Sequence, residues 1–452
     1  MKNLTNIKKI FFIGIGGVSM SKLALMCKKK GKTVLGSDVK KSEITKKLEN
    51  EDIKIFYKHN ANNVSKDLDL VVVSSSISES NVELCQAKKM QLKIVSRGEF
   101  LGAIASSFDN VISVAGSHGK TTTTALIGYI LQQLNLKPTV HCGGDVVNGV
   151  KSEEDDKFFV NEACEYKDNF LYTKNNIAVV LNIEPEHLDY FKTFTKEINS
   201  FNKFVSLSDK ILCNFNLRQK IKTTKQNKVT QTVSLNCKRA NWYSKKISSK
   251  NQLNCFEIYH NGTLFCCVES PLLGTHNRFN IICAVAVIEL LQITNIKKIQ
   301  LAICNFLGVK RRMQSIAKTC TTELILDYAH HPTEIKKTLS LLKNESNVLL
   351  IFQPHTYSRT KLLMKKFICS FCFFKHDLII VKEYPAREKF DKEGSAFFLF
   401  KNLKQRRNVL YKSKQGVKDF VVKNFKKYKK IIFLGAGDID SVAKDIKKII
   451  CH

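Results

Sequence analysis

Residues 116 to 122 read Gly-Ser-His-Gly-Lys-Thr-Thr, inside the stretch VAGSHGKTTTTALIGYIL that runs from 114 to 131. Glycines at a strand-to-helix turn let backbone N–H groups close on phosphate oxygens. Lys120 is placed to reach the outer phosphates of a nucleotide, and the Thr121 hydroxyl to hold magnesium. Thr122 begins a helix whose positive end faces the anion. Gly116 and Gly119 have only Ser117 and His118 between them, where the common nucleotide-binding loop has about four residues before its Gly-Lys pair. The chemistry of a phosphate cradle is therefore present in a shortened form.

Other residues that carry chemistry fall at the ends of apolar runs. KFFVNEACEY puts Glu162 and Glu165 at the carboxyl end of one strand, and NIAVVLNIEPEHLDYF puts Glu184, Glu186, His187 and Asp189 at the end of another. Ligands of open parallel sheets collect outside strand carboxyl ends, so these groups share an address with Lys120. Magnesium prefers oxygen, which suits Glu162. LLGTHNRFNIICAVAVIELL opens a long helix with His276, Asn277 and Asn280 in its first turn, and GVKRRMQ brings Arg311 and Arg312 together. A guanidinium suits bidentate phosphate or carboxylate contact. Further on, LILDYAHHPTEI, VLLIFQPHTYSRT and DLIIVKEYPAREK end in Asp327, His330, His331, His355, Arg359 and Arg387. That density of ionisable groups along one sheet edge reads as a site.

These groups need three strand-loop-helix blocks to position them. The first, 1–105, runs KKIFFIGIGGVSMSKLALMCKKKG, KTVLGSD and LDLVVVSSSI. Gly14, Gly16 and Gly17 lie where a diphosphate meets a helix N-terminus, and Asp38 ends the second strand. Ser19 holds the place of the third glycine in a dinucleotide fingerprint, so "some nucleotide diphosphate" is better supported than a nicotinamide site. The second block is 106–315 and the third 316–452. Residues 208 to 262 read as irregular strands rich in Lys, Asn and Thr, without chemistry.

A chain of 452 residues exceeds one core and implies about two to four domains. Its hydrophobic fraction of 44% fills them, and no apolar run reaches the length of a membrane span. The start reads as a strand and not a signal peptide, so a cytoplasmic chain is expected. Its fifteen cysteines are scattered, and many, such as Cys27, Cys283 and Cys304, sit in apolar stretches and read as buried thiols. The pair Cys369 and Cys372 lacks the further ligands that a zinc site needs. The formal charge of +33 comes from dispersed lysines. Arginine is scarce and no nucleic-acid-binding motif is present, so specific nucleic-acid recognition is not expected, only weak polyanion binding at low salt.

Taken in order, GIGGVSM, VVVSSSI, GSHGKTTTT, EACEY, NIEPEHLDYF, GTHNRFN, GVKRRMQ, DYAHHPTEI, FQPHTYSRT, YPARE and GAGD closely resemble the Mur ligases of peptidoglycan synthesis. The shortened phosphate loop is that family's own form. The resemblance implies an α/β protein of three domains on mainly parallel sheets with crossover helices. They are a Rossmann-like UDP-sugar domain, a P-loop ATPase and a Rossmann-like amino-acid domain. It is nearest the branch that adds L-alanine to UDP-N-acetylmuramate with ATP and Mg2+.

By the same resemblance, Gly14, Gly16, Gly17, Asp38, Ser74 and Ser75 hold the UDP-sugar. Gly116, Ser117, His118, Gly119, Lys120, Thr121 and Thr122 hold the ATP phosphates. Thr121, Glu162 and His187 gather the metal, and His276, Asn277 and Asn280 border the adenosine. Arg312 and Asp327 belong to the ATP side of a cleft that closes, and His331 and Arg359 face the alanine and the acceptor carboxylate. His187, His331 and Asp327 all remain open as the base for the amine, and both monomer and homodimer remain open. Thr356 stands where some relatives carry arginine, which throws more carboxylate recognition onto Arg359. The competing branch, which attaches a ready-made tripeptide to the same sugar, shares the phosphate loop. NIEPEHLDYF and the ordering of FQPHTYSRT argue against it.

Overall fold

The computed structural model describes residues 6–149, 156–222, 229–248, 253–343, 345–372, 374–386, 388–404 and 409–451. Its described part divides into two compact units, Met1–Leu307 and Gly308–His452.

In the first unit, strands Lys9–Ile13 (β1), Thr33–Ser37 (β2), Lys54–Phe56 (β3), Leu70–Val73 (β4) and Ile94–Ser96 (β5) form a parallel sheet in the order β3-β2-β1-β4-β5. Helices Val18–Lys29 (α1), Glu43–Glu49 (α2), Val82–Lys89 (α3) and Arg97–Ala105 (α4) connect or follow these strands. The strand order reverses direction at β1, and that is where an open parallel sheet leaves a crevice for a ligand. KIFFI and LVVV are buried on both faces, which is why they read as continuous apolar runs rather than alternating ones.

The same unit holds a second sheet. Its elements are Asn110–Ala115 (β6), Lys120–Gln133 (α5), Thr139–His141 (β7), Phe158–Glu162 (β8), Asn175–Val180 (β9), Leu188–Phe191 (α6), Phe194–Ser206 (α7) and Ser208–Asn214 (β10). They continue with Val229–Val233 (β11), Trp242–Ser248 (β12), Asn254–His260 (β13), Thr263–Ser270 (β14), Thr275–Leu290 (α8) and Ile296–Asn305 (α9). The sheet has nine strands in the order β14-β13-β12-β11-β10-β9-β6-β8-β7. Only the β12–β13 and β13–β14 pairs are antiparallel. So the described parts of residues 208 to 262, read from sequence as irregular, extend the parallel sheet and end it in an antiparallel tail. Trp242 of that tail is fully buried and stacks on His260. Apolar α5 and α8 pack together on this sheet. Every residue of α5 from Thr121 to Leu131 is buried, so the phosphate loop is carried on a rigid core helix.

The second unit contains Gln314–Lys318 (β15), Glu323–Asp327 (β16), Pro332–Leu341 (α10), Val348–Phe352 (β17), Tyr357–Leu362 (α11), Met364–Cys372 (α12), Asp377–Val381 (β18), Ala396–Lys404 (α13), Val409–Lys412 (β19), Lys414–Asn424 (α14), Lys430–Leu434 (β20) and Ile439–Ile450 (α15). The sheet order is β15-β16-β20-β17-β18-β19, parallel except for the β15–β16 pair. Apolar clusters lie on both of its faces. Among the described residues, no helix is long and apolar enough to cross a membrane.

Candidate active site

The loop between β6 and α5 is built by two left-handed glycines. Gly116 has φ 139° and Gly119 has φ 85°, and Gly119 is also the N-cap of α5. A Cβ at Gly116 would lie 2.9 Å from the Asn182 carbonyl oxygen, and one at Gly119 2.7 Å from Asn280 Oδ1. Both positions therefore require glycine for space as well as for conformation. Asn182 clamps the loop from the end of β9. Its Oδ1 accepts from His118 N at 2.8 Å, and its Nδ2 donates to His118 O at 2.9 Å. Ser117 Oγ accepts from Glu184 N at 2.8 Å, and His118 Nε2 lies 3.3 Å from Glu184 Oε2.

Lys120 Nζ donates to Gly116 O and lies 3.1 Å from both oxygens of Glu165, which is 2% exposed. Burial pulls the lysine pKa down, but the Glu165 and Glu162 carboxylates overrule it and hold the ammonium above its ordinary value. Lys120 is thus a fixed cation at the base of the loop. Thr121 Oγ1 donates to Glu162 Oε2 at 2.9 Å, and Gly143 N donates to the same oxygen at 2.6 Å. Thr122 is buried in the first turn of α5.

His187, at φ 52°, lies 3.6 Å from Glu165 through Nε2, and its ring packs on Tyr166. Glu165, Glu186 and His187 each bring one ligand atom within 4.8 Å of the others. Thr121 and Glu162 thus form one direct pair, while His187 gathers with Glu165 and Glu186. Glu186 N in turn donates to Glu197 Oε2 at 3.3 Å. Burial pushes the Glu197 carboxyl up to about 8. The side chain of Asp189 lies outside the described part.

Asn277 and Asn280 sit in the first turn of α8, 3.5 Å apart through their amides, beside the phosphate loop. Asn277 also anchors the preceding turn through Leu273 O. His276 shares that turn, whose N-cap is Gly274. In the first sheet, Gly14 has φ 82°, and a Cβ there would lie 3.0 Å from Ser74 Cβ, so the glycine turn and the VVVSSSI loop adjoin. Asp38 Oδ2 accepts from Gly16 N at 2.9 Å, which makes Asp38 a brace of the glycine turn. Gly17 is the N-cap of α1. Ser75 O accepts from Lys167 Nζ at 3.1 Å.

Sequence reading missed a polar link between these two sheets. Arg97 NH1 donates to Ser19 Oγ at 3.1 Å, and Ser19 Oγ lies 3.0 Å from His141 Nε2. Burial, with Arg97 and Lys22 nearby, lowers the His141 pKa to about 3, so the ring is neutral. Ser19 thus acts in a link, not only as the absent third glycine.

In the second unit, Asp327 ends β16 buried, with Oδ1 accepting from Ala329 N at 2.7 Å and Oδ2 from Met313 N at 3.0 Å. Burial raises its pKa to about 6 against the pull of Arg312. Arg312 pairs with Glu334 at 3.3 Å. Arg311 turns the other way and donates to Gly435 O and Gly437 O at 2.9 Å each, a structural tie. His331 caps α10, its Nδ1 accepting from Thr333 N at 3.3 Å. His330 is driven to about 3 by burial, and His355 to about 4 by burial and Arg359. Arg359 NH1 lies 3.3 Å from His355 Nδ1, and the His355 ring stacks on Tyr384. Thr356, between them, has φ 65° and ψ 147°, a costly backbone for a β-branched residue. Arg387 lies outside the described residues.

Residues 9–109 match the model of the Mur ligase family, catalytic domain; 114–288 match the Mur ligase middle domain; and 311–437 match the Mur ligase, glutamate ligase domain. A UDP-N-acetylmuramate–L-alanine ligase of Caldicellulosiruptor bescii is 38% identical, over 97% of this chain and 98% of its own length. The chain belongs to the Mur ligase family. A relative of the same name from Acetivibrio thermocellus is 36% identical over 97% and 95% of the two chains. Among solved structures, a UDP-N-acetylmuramate–alanine ligase of Thermotoga maritima shares the fold with a TM-score of 0.83 at 24% identity, covering 98% of each chain. A murein peptide ligase of Psychrobacter arcticus shares it with a TM-score of 0.70 at 21% identity, again over 98% of each. The Mur ligase fold thus accounts for three mainly parallel α/β sheets in one chain.

Proposed function

We propose that this Mur ligase joins L-alanine to the carboxylate of UDP-N-acetylmuramate, converting ATP to ADP and phosphate, as a cytoplasmic step of peptidoglycan precursor synthesis. The observation that carries the reading is the likeness, at 36–38% identity over nearly the whole chain, to relatives bearing that name. The domain limits at about 105 and 315, and the residue roles below, belong to the same proposal.

A carboxylate resists attack because the amine must add to a group already anionic. Transfer of the ATP terminal phosphoryl to the carboxylate oxygen gives an acyl phosphate. The alanine amine then adds to its carbonyl carbon and phosphate departs, so the new C–N bond replaces the C–O bond to phosphate. Lys120 supports this reading. It is charged, half-buried and fixed at a glycine turn, where it neutralises phosphate without reorganising. The proton of the amine passes to one of His187, His331 and Asp327.

The donors fit Mg2+. A threonine hydroxyl and three carboxylates at strand ends supply hard oxygen atoms, with one imidazole. Thr121, Glu162 and His187 would hold the ion, with Glu165 and Glu186 beside His187. Bound there, it supplies Lewis-acid polarisation of phosphate oxygens.

The test is phosphate release from ATP with UDP-N-acetylmuramate, with L-alanine set against the murein tripeptide. Release should require L-alanine and fall at least about 100-fold in Lys120→Ala. Release only with the tripeptide would overturn the substrate assignment.

A further inference from the structure

The loop that carries Glu184, Glu186 and His187 leaves β9 and must place the proposed ligand His187, with Glu186 beside it, while holding His187 at φ 52°. A left-handed residue of this kind persists only where its surroundings hold it. Ser117 anchors one end of the loop through Glu184 N, and the Tyr190 and Phe191 N–H groups take His187 O. Between these anchors, Glu186 N reaches Glu197 Oε2 at 3.3 Å. Glu197 belongs to the first turn of α7, away from the phosphate loop in sequence, and is fully buried. Its other oxygen, Oε1, is buried with no hydrogen-bond partner. A buried carboxyl with one oxygen unsatisfied is a poor way to stabilise a helix. Its visible use is the bond to Glu186.

We propose that Glu197 is a positioning residue for the cation-binding loop: by accepting the Glu186 N–H it fixes the backbone from which Glu186 and His187 project. The inference rests on the metal role given to His187 above and adds a residue outside the strand-end groups. Glu197 is fully buried and reaches the loop through Glu186 N, so its effect is on the affinity of the loop for a divalent ion.

The experiment titrates the intact chain with Mn2+ alone, followed by water-proton relaxation, in wild type, Glu197→Gln and Glu197→Leu. Thermal unfolding of each accompanies the titration. Glutamine keeps an acceptor oxygen and should bind Mn2+ within about twofold of wild type. Leucine removes the acceptor and should weaken binding about tenfold, the usual weight of one hydrogen bond. Its melting temperature should be unchanged or raised, because an unsatisfied buried oxygen is gone. A merely structural role predicts the reverse: a lowered melting temperature and unchanged Mn2+ affinity. Equal binding in Glu197→Leu, equal loss in both variants, or no Mn2+ uptake by wild type would each overturn the proposal. None of these outcomes depends on which amino acid is ligated, so failure of the L-alanine assignment would be seen separately in the phosphate-release assay.

Discussion

Asp327 lies at the end of β16 with both oxygens committed to backbone N–H groups, yet burial raises its pKa from 3.8 to about 6. The native state therefore holds this proton more tightly than the unfolded chain. Its stabilising contribution is complete below about pH 4 and is lost as pH rises through about 6, amounting to about 3 kcal/mol. Urea unfolding of wild type and Asp327→Asn should show the wild type losing stability relative to the variant by that order between pH 4 and 7. A difference independent of pH would contradict the burial. At this scale the sequence announced the residues with unusual chemistry. Gly116, Gly119 and Lys120 were legible because a Gly-Lys-Thr turn has few other uses. Asn182 sat in view at a strand end, within the rule that located Glu184, and was passed over. Glu197 had no signal, since a glutamate in the first turn of a helix is ordinary until its side chain is seen buried.

The helix α4 shows what element-level reading can and cannot reach. RGEFLGAIA reads as a helix, with a capping box of Ser96 and Glu99. Its glycines look like weaknesses until the packing is known. A Cβ on Gly102 would lie 2.2 Å from the carbonyl oxygen of Tyr172, and one on Gly98 2.5 Å from Asn169 Oδ1. The helix of the first sheet is thus pressed against the turn that follows β8. Gly102→Ala gains helix propensity, by up to about 1 kcal/mol, but meets backbone that cannot step aside. Overpacking of this kind costs about 1–3 kcal/mol or more. Scanning calorimetry should show the transition of the Met1–Leu307 unit lowered, while that of Gly308–His452 stays in place. A raised transition would mean that the two elements have room to part. The β11–β14 tail was the least legible part for a related reason. The Lys-, Asn- and Thr-rich stretches of sequence lie between its strands, and the pairing partners of those strands, not their own pattern, make them regular.

Across the whole molecule, the alternation of strands, glycine turns and helices was enough to reveal three mainly parallel sheets, because crossover topology leaves few alternatives. The formal charge of +33 is the remaining whole-chain property, and it belongs to no single element. The lysines are dispersed, so the field they make attracts any polyanion and reads no sequence. Random single-stranded DNA followed by fluorescence anisotropy should bind at 20 mM salt and be released by about 150 mM. The logarithm of affinity should fall linearly with the logarithm of salt, losing about 0.7 for each phosphate contacted. At 150 mM salt the same DNA should leave phosphate release with L-alanine unchanged, because phosphate recognition at Lys120 rests on a fixed glycine turn and one fixed ammonium, not on the diffuse field. Binding that survived 150 mM salt and preferred one sequence would show instead that the basic surface carries a recognition site of its own.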